Sequence, residues 1–143
     1  LPICRETLSA ASAFRQSRAQ CNRSIRFISS RCWEVRIVVV ICVDDSNMFV
    51  SALKRRTQSI LPDAQIYTFL DPEQALKQAK IAGCDLLLTE IDVGLSNRGG
   101  ILLAKYLKEF NPKAKIIFVT VCSAYEHERA LRYMEFDGYI TKP

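Results

Sequence analysis

Ile37-Val38-Val39-Val40-Ile41-Cys42-Val43-Asp44-Asp45-Ser46 is an apolar run, β-branched at every position but one, that ends abruptly on two carboxylates and a hydroxyl. Successive side chains of a strand point to opposite faces, so an unbroken apolar run predicts a strand covered on both sides. Working outward, Ser46 can cap a helix running to about Leu61, where Pro62-Asp63 breaks it. Gln65 to Phe69 reads as the next strand. Asp71-Pro72-Glu73 then sets an N-cap aspartate before proline at the first helical position, and the helix ends at Gly83. Asp85 to Thr89 is a third strand, Ile101 to Phe110 a third helix, and Asn111-Pro112 a stop. Ile116 to Val121 and Gly138 to Thr141 supply the last strands, with a helix near Ala124 to Met134 between them. Strands alternating with helical segments of roughly ten to fifteen residues imply right-handed crossovers and a doubly wound, five-stranded parallel α/β sheet.

The 143 residues fit one domain with an appendage. A hydrophobic fraction of 49% and a charged fraction of 24% exclude a disordered or collagen-like chain. No apolar run is long enough to span a bilayer, so a soluble, cytoplasmic protein without a membrane partner is expected. The formal charge of +5 would suggest a nucleic-acid partner, but it resides entirely in residues 1–36, where seven arginines face Glu6 and Glu34; the remainder is balanced. Residues 1–34 are therefore read as a basic Arg/Ser-rich leader and 35–143 as the domain. The leader's composition resembles an organelle transit peptide, and it fits equally a disordered arm, a vestigial extension or translated sequence upstream of the true start.

The six cysteines show no Cys-x-x-Cys pair, so zinc-site spacing is absent. Cys42, Cys84 and Cys122 lie in or beside apolar runs and read as small buried hydrophobes in a reducing compartment. The one histidine, His127, falls in the charged stretch Glu126-His127-Glu128-Arg129 and reads as a solvated helix position.

In a parallel sheet the functional pocket forms beyond the carboxyl ends of the strands. Asp44 and Asp45 follow the first strand, Glu90 the third and Lys142 the fifth, while Thr120 falls near the end of the fourth. Singly, each has a plain structural role: acids at a helix N-terminus, a loop-edge acid, a strand threonine and a solvated lysine. Jointly, they outline an acidic hollow suited to phosphoryl transfer onto a carboxylate. There a divalent ion neutralises the incoming phosphate, a lysine supplies fixed charge and a hydroxyl donates to a phosphate oxygen.

Over residues 35–143 the chain resembles a response-regulator receiver domain (CheY-like). Asn111-Pro112-Lys113-Ala114-Lys115-Ile116-Ile117-Phe118-Val119-Thr120, followed by Gly138-Tyr139-Ile140-Thr141-Lys142-Pro143, is especially similar to receivers of LytTR-type transcriptional regulators. The resemblance implies a flavodoxin-like fold. It makes Asp44, Asp45 and Glu90 the Mg²⁺ ligands, Thr120 the hydroxyl that follows phosphorylation, Lys142 the phosphate-facing cation and Tyr139 the aromatic switch position. It also implies a cis bond before Pro143. The acceptor position holds Glu90 where the family has aspartate. Glutamate carries its carboxylate about one C–C bond, roughly 1.5 Å, further out, which weakens metal binding and spoils in-line attack. Asp92 is a tempting substitute acceptor but is disfavoured, because it lies two residues beyond the strand end, where LytTR-type receivers often carry a non-acceptor acid.

Two further departures stand out. Gly94-Leu95-Ser96-Asn97-Arg98-Gly99-Gly100 is longer than the usual turn, and the chain stops at Pro143, so the domain is expected to lack its final helix. Three functions from different classes follow. The first is a receiver in phosphorelay signalling, partnered by a sensor histidine kinase and controlling transcription through a missing output domain, which alone would touch DNA. The second is a phosphorylation-independent pseudo-receiver acting as a protein-interaction module, with a homodimer contact through Ala124 to Tyr139. The third, a phosphatase with an aspartate nucleophile, is disfavoured because Asp44-Asp45-Ser46 lacks an alternate-residue acid pair; no enzyme activity is expected.

Overall fold

The computed structural model describes residues 36–95, 98–121 and 131–143. The expectations for the leader, Cys122, His127 and most of the helix over 124–134 lie outside these residues, as does much of the Ala124 to Tyr139 face. Eight elements follow in order: β1 (Val39–Val43), α1 (Asn47–Ile60), β2 (Gln65–Phe69), α2 (Pro72–Ala82), β3 (Leu86–Thr89), α3 (Gly99–Phe110), β4 (Lys115–Thr120) and β5 (Gly138–Thr141). All four strand pairings are parallel and the strand order is β2-β1-β3-β4-β5, the doubly wound arrangement expected.

Period-two alternation splits the core. Ile41 and Val43 of β1, Leu87 of β3, and Ile116 and Phe118 of β4 pack with Ala75 and Ala79 of α2 and with Leu103 and Leu107 of α3. Val40, Cys42 and Leu88 point the opposite way, toward Val50 and Leu53 of α1. β1 is buried along its whole length because it has strands on both sides and helices on both faces.

The amino ends of the strands are fastened by a device used twice. Asp85, just before β3, gives its backbone N–H to the Val39 carbonyl (2.8 Å), and its side chain accepts the Val39 N–H (2.9 Å). Asp137, just before β5, does the same to Ile116, at 2.7 and 2.9 Å. Each aspartate also meets a cation, Arg36 in the first case and Lys115 in the second. These carboxylates satisfy an N–H at the start of a strand, on the first residue of β1 and the second of β4.

Several boundaries differ from the expectations. Ile37 and Val38 precede β1 and are exposed; the register with β2 begins at Val39, although the Val38 carbonyl still accepts the Gln65 N–H at 2.9 Å. Ser46 occupies the N-cap of α1 without a side-chain cap; instead its N–H donates to Asp44 Oδ1 (2.9 Å). Asp71 does cap α2, accepting the Glu73 N–H at 3.0 Å, with Pro72 at the first turn. The bond before Pro143 is trans, not cis.

α3 starts two residues earlier than expected, and its glycines explain why. Gly100 donates its N–H to Ile91 O (2.9 Å), and a Cβ on Gly100 would run into the backbone carbonyl of Glu90 and stand 2.8 Å from Thr89 Oγ1. Only glycine lets the helix reach this close to the end of β3. Before it, Gly94 adopts φ 86° against Pro72, and Arg98 adopts φ 74° with its N–H bonded to Asp92 Oδ1 at 2.8 Å. Asp92 is thereby committed to shaping the loop. Replacing Gly100 with alanine should therefore lower stability by about 2 kcal/mol or more, because the obstacle is backbone and cannot rotate away. A urea titration followed by circular dichroism would register the shift in midpoint.

Candidate functional site

The ladder extends past the strand ends and carries the site residues with it. Asp44 N–H bonds Phe69 O (3.2 Å), Glu90 N–H bonds Val43 O (2.9 Å) and Lys142 N–H bonds Thr120 O (2.7 Å). Asp44 and Glu90 thus leave neighbouring strands at the same level, while Lys142 leaves β5 beside Thr120. The lysine side chain bridges them: its Nζ lies 2.6 Å from Asp44 Oδ2 and 2.6 Å from Glu90 Oε2. The three side chains are 5%, 0% and 7% exposed respectively. Four of the sequence-predicted residues, Asp44, Glu90, Thr120 and Lys142, therefore do meet.

The cluster has further partners besides the lysine. Glu90 Oε1 accepts the N–H of Ile91 at 2.8 Å, and the Thr120 hydroxyl also bonds the Glu90 carboxylate. Asp44 Oδ1 holds the Ser46 N–H, while its Oδ2 makes the ion pair without a well-directed hydrogen bond. Phe49 of α1 lays its ring over the ammonium, 4.4 Å from centroid to Nζ, a cation–π contact that shields the charge from water.

Electrostatics follow from the geometry. Burial pushes the Glu90 carboxyl up, but hydrogen bonds from Lys142, Thr120 and the Ile91 amide outweigh it and hold the group below its ordinary value. For Lys142, burial pulls down and the bonds to Asp44 and Glu90 win, holding the ammonium above its ordinary value. Cys42 and Cys84 are buried, and loss of solvation pushes their thiols up to about 11 and about 12, so both are inert hydrophobes as expected.

The residues expected as Mg²⁺ ligands do not assemble as a cage. Among the described residues no three acids, histidines or cysteines converge into a metal-binding group. Asp44 and Glu90 both face Lys142, whose ammonium takes the position between them. Asp45, the third expected ligand, is exposed and lines a separate cleft between α2 and α3. Tyr139 is partly buried against the core beside Phe118 on β4, its register partner.

Lys142 is the member on which the cluster depends. A methionine there should destabilise the fold by about 3 kcal/mol, since two buried carboxylates lose their common cation. Combining it with Glu90→Gln should recover part of that loss in a double-mutant cycle. The pH dependence has two limbs. Glu90, depressed in the fold, stabilises above its ordinary 4.5 and loses that contribution as pH falls through the lower folded value. Lys142, elevated, stabilises below its ordinary 10.5 and loses that contribution as pH rises through the higher folded value. Urea midpoints measured across pH should show Glu90→Gln flattening the acid limb specifically.

Comparison with known proteins accords with this geometry. Residues 40–143 match the family model of the response regulator receiver domain. No curated protein matches the chain by sequence. Among solved structures, the chemotaxis protein CheY4 of Vibrio cholerae superposes with a TM-score of 0.65 at 19% identity, covering 76% of this chain and 88% of that one. The response regulator TrrA of Thermotoga maritima, solved in complex with Mg²⁺ and BeF, gives 0.62 at 25% identity over 75% and 88%. RcsB of Salmonella enterica serovar Typhimurium, bound to promoter DNA, gives 0.61 at 20% identity over 75% and 60%. With its strand order, its strand-end carboxylates and its Thr–Lys pair arranged in this way, the chain belongs to the response regulator receiver domain family.

Proposed function

We propose that this receiver works without phosphoryl transfer, as a signalling module that binds protein partners in a state set by its own Glu90. One observation carries the reading: the Glu90 carboxylate already holds both the Lys142 ammonium at 2.6 Å and the Thr120 hydroxyl. These are the two groups that would otherwise serve a phosphoryl group on the acceptor. A glutamate reaching them directly leaves neither a free cation nor a free hydroxyl to stabilise an incoming phosphate. The longer side chain thus replaces the modification with a permanent contact. The similarity of β4 and β5 to LytTR-type regulators supports a role in transcription control through a partner or an output domain. No described helix is long and apolar enough to cross a membrane, which fits a cytoplasmic site of action.

A second reading keeps phosphorylation by a sensor histidine kinase. It is favoured by Asp44 Oδ2, a buried carboxylate oxygen with no well-directed hydrogen bond and Asp45 next to it in the chain. Under that reading Mg²⁺ would draw on Asp44, Asp45 and Glu90 and would supply charge neutralisation; Lys142 would have to leave Asp44.

Incubation with acetyl phosphate and Mg²⁺, read by intact mass, separates the two. The native chain should show no adduct, whereas Glu90→Asp, with the carboxylate drawn back and Lys142 released, should gain one phosphate. An adduct on the native chain that disappears in Asp45→Ala would establish the second reading instead.

A further inference from the structure

Next to the buried cluster, on the side of Asp45, α2 and α3 diverge around an open cleft of about 690 Å³. Its walls carry Leu70, which follows β2, and Leu102 and Tyr106, one turn apart on α3. These three are 45%, 46% and 51% exposed, so large apolar surfaces from two separate segments face solvent in one groove. Scattered exposed apolar residues are ordinary, but several gathered in one concavity mark a binding surface. Asp45, Asp71 and Glu73 line the same groove, and among the described residues no basic side chain lines it. The Asp71 side chain is fixed by its bond to the Glu73 N–H at 3.0 Å, and Gly94, at φ 86°, closes one end against Pro72.

This combination selects its occupant. Apolar walls between helices fit a helix side with residues at i, i+3 and i+4, and carboxylates with no basic side chain among the described lining fit Lys or Arg beside that stripe. We propose that the cleft between α2 and α3 is the docking groove for a basic amphipathic helix of a partner protein. The proposal names the partner class of the interaction module put forward above and rests on that reading.

The full chain titrated with a fluorescein-labelled peptide of about five helical turns, built from Leu and Lys in amphipathic order, tests it by fluorescence anisotropy. Saturable binding is expected for this peptide and not for its scrambled version of equal charge, nor for a version with Glu in place of Lys. Glu73→Lys and Leu102→Ser should each weaken binding roughly tenfold while leaving the urea midpoint unchanged. Equal binding of the scrambled peptide, or unchanged affinity in both variants, would overturn the groove. So would self-association of the chain in sedimentation that Leu102→Ser abolishes, because a second copy would then be the occupant. The acetyl phosphate experiment reports separately: an adduct on the native chain removes the underlying reading whatever the peptide does, and no adduct with no peptide binding removes the groove alone.

Discussion

The ammonium of Lys142, shared between the buried carboxylates of Asp44 and Glu90, is the contact around which the carboxyl rim of the sheet is organised. Two anions withdrawn from water at this distance tolerate one another only with a cation between them. The cation comes from β5 and the anions from the ends of β1 and β3, so the contact exists only when three parallel strands end at matching levels. Sheet register and electrostatics therefore require each other. Phe49 completes the arrangement by closing the face of the ammonium that no carboxylate occupies.

The same contact underlies the proposed reading. Under it, Thr120 and Lys142, the pair that would attend a phosphoryl group, are already bonded to the Glu90 side chain. On that proposed reading the carboxylate's single negative charge supplies less than a phosphoryl group would, and the contact forms without a phosphodonor.

Much of this was legible in the residues. The apolar run from Ile37, the Asp71-Pro72 start and the Gly83 stop located their elements closely, because each signal is local and backbone-driven. The meeting of Asp44, Glu90, Thr120 and Lys142 followed from strand order, which alternation of strands and helices constrains. Asp45 was misplaced because two adjacent acids after a strand point in different directions, and sequence does not say which one turns inward. The α3 start was missed since Gly99 and Gly100 look like helix breakers; their smallness serves an approach to the Glu90 carbonyl visible only in three dimensions. The groove lining, drawn from distant segments, left no pattern to read. The aspartate clamps did leave one, an acid directly before both Leu86 and Gly138, although Asp85 reads by itself as the first residue of the third strand.

Those clamps have a consequence for how the domain can diverge. Asp85 and Asp137 fasten the amino rim with bonds to Val39 and Ile116 that make no use of any residue at the opposite end. The rear of the sheet thus has fastenings of its own, and a change in the loops at the front leaves these two bonds untouched.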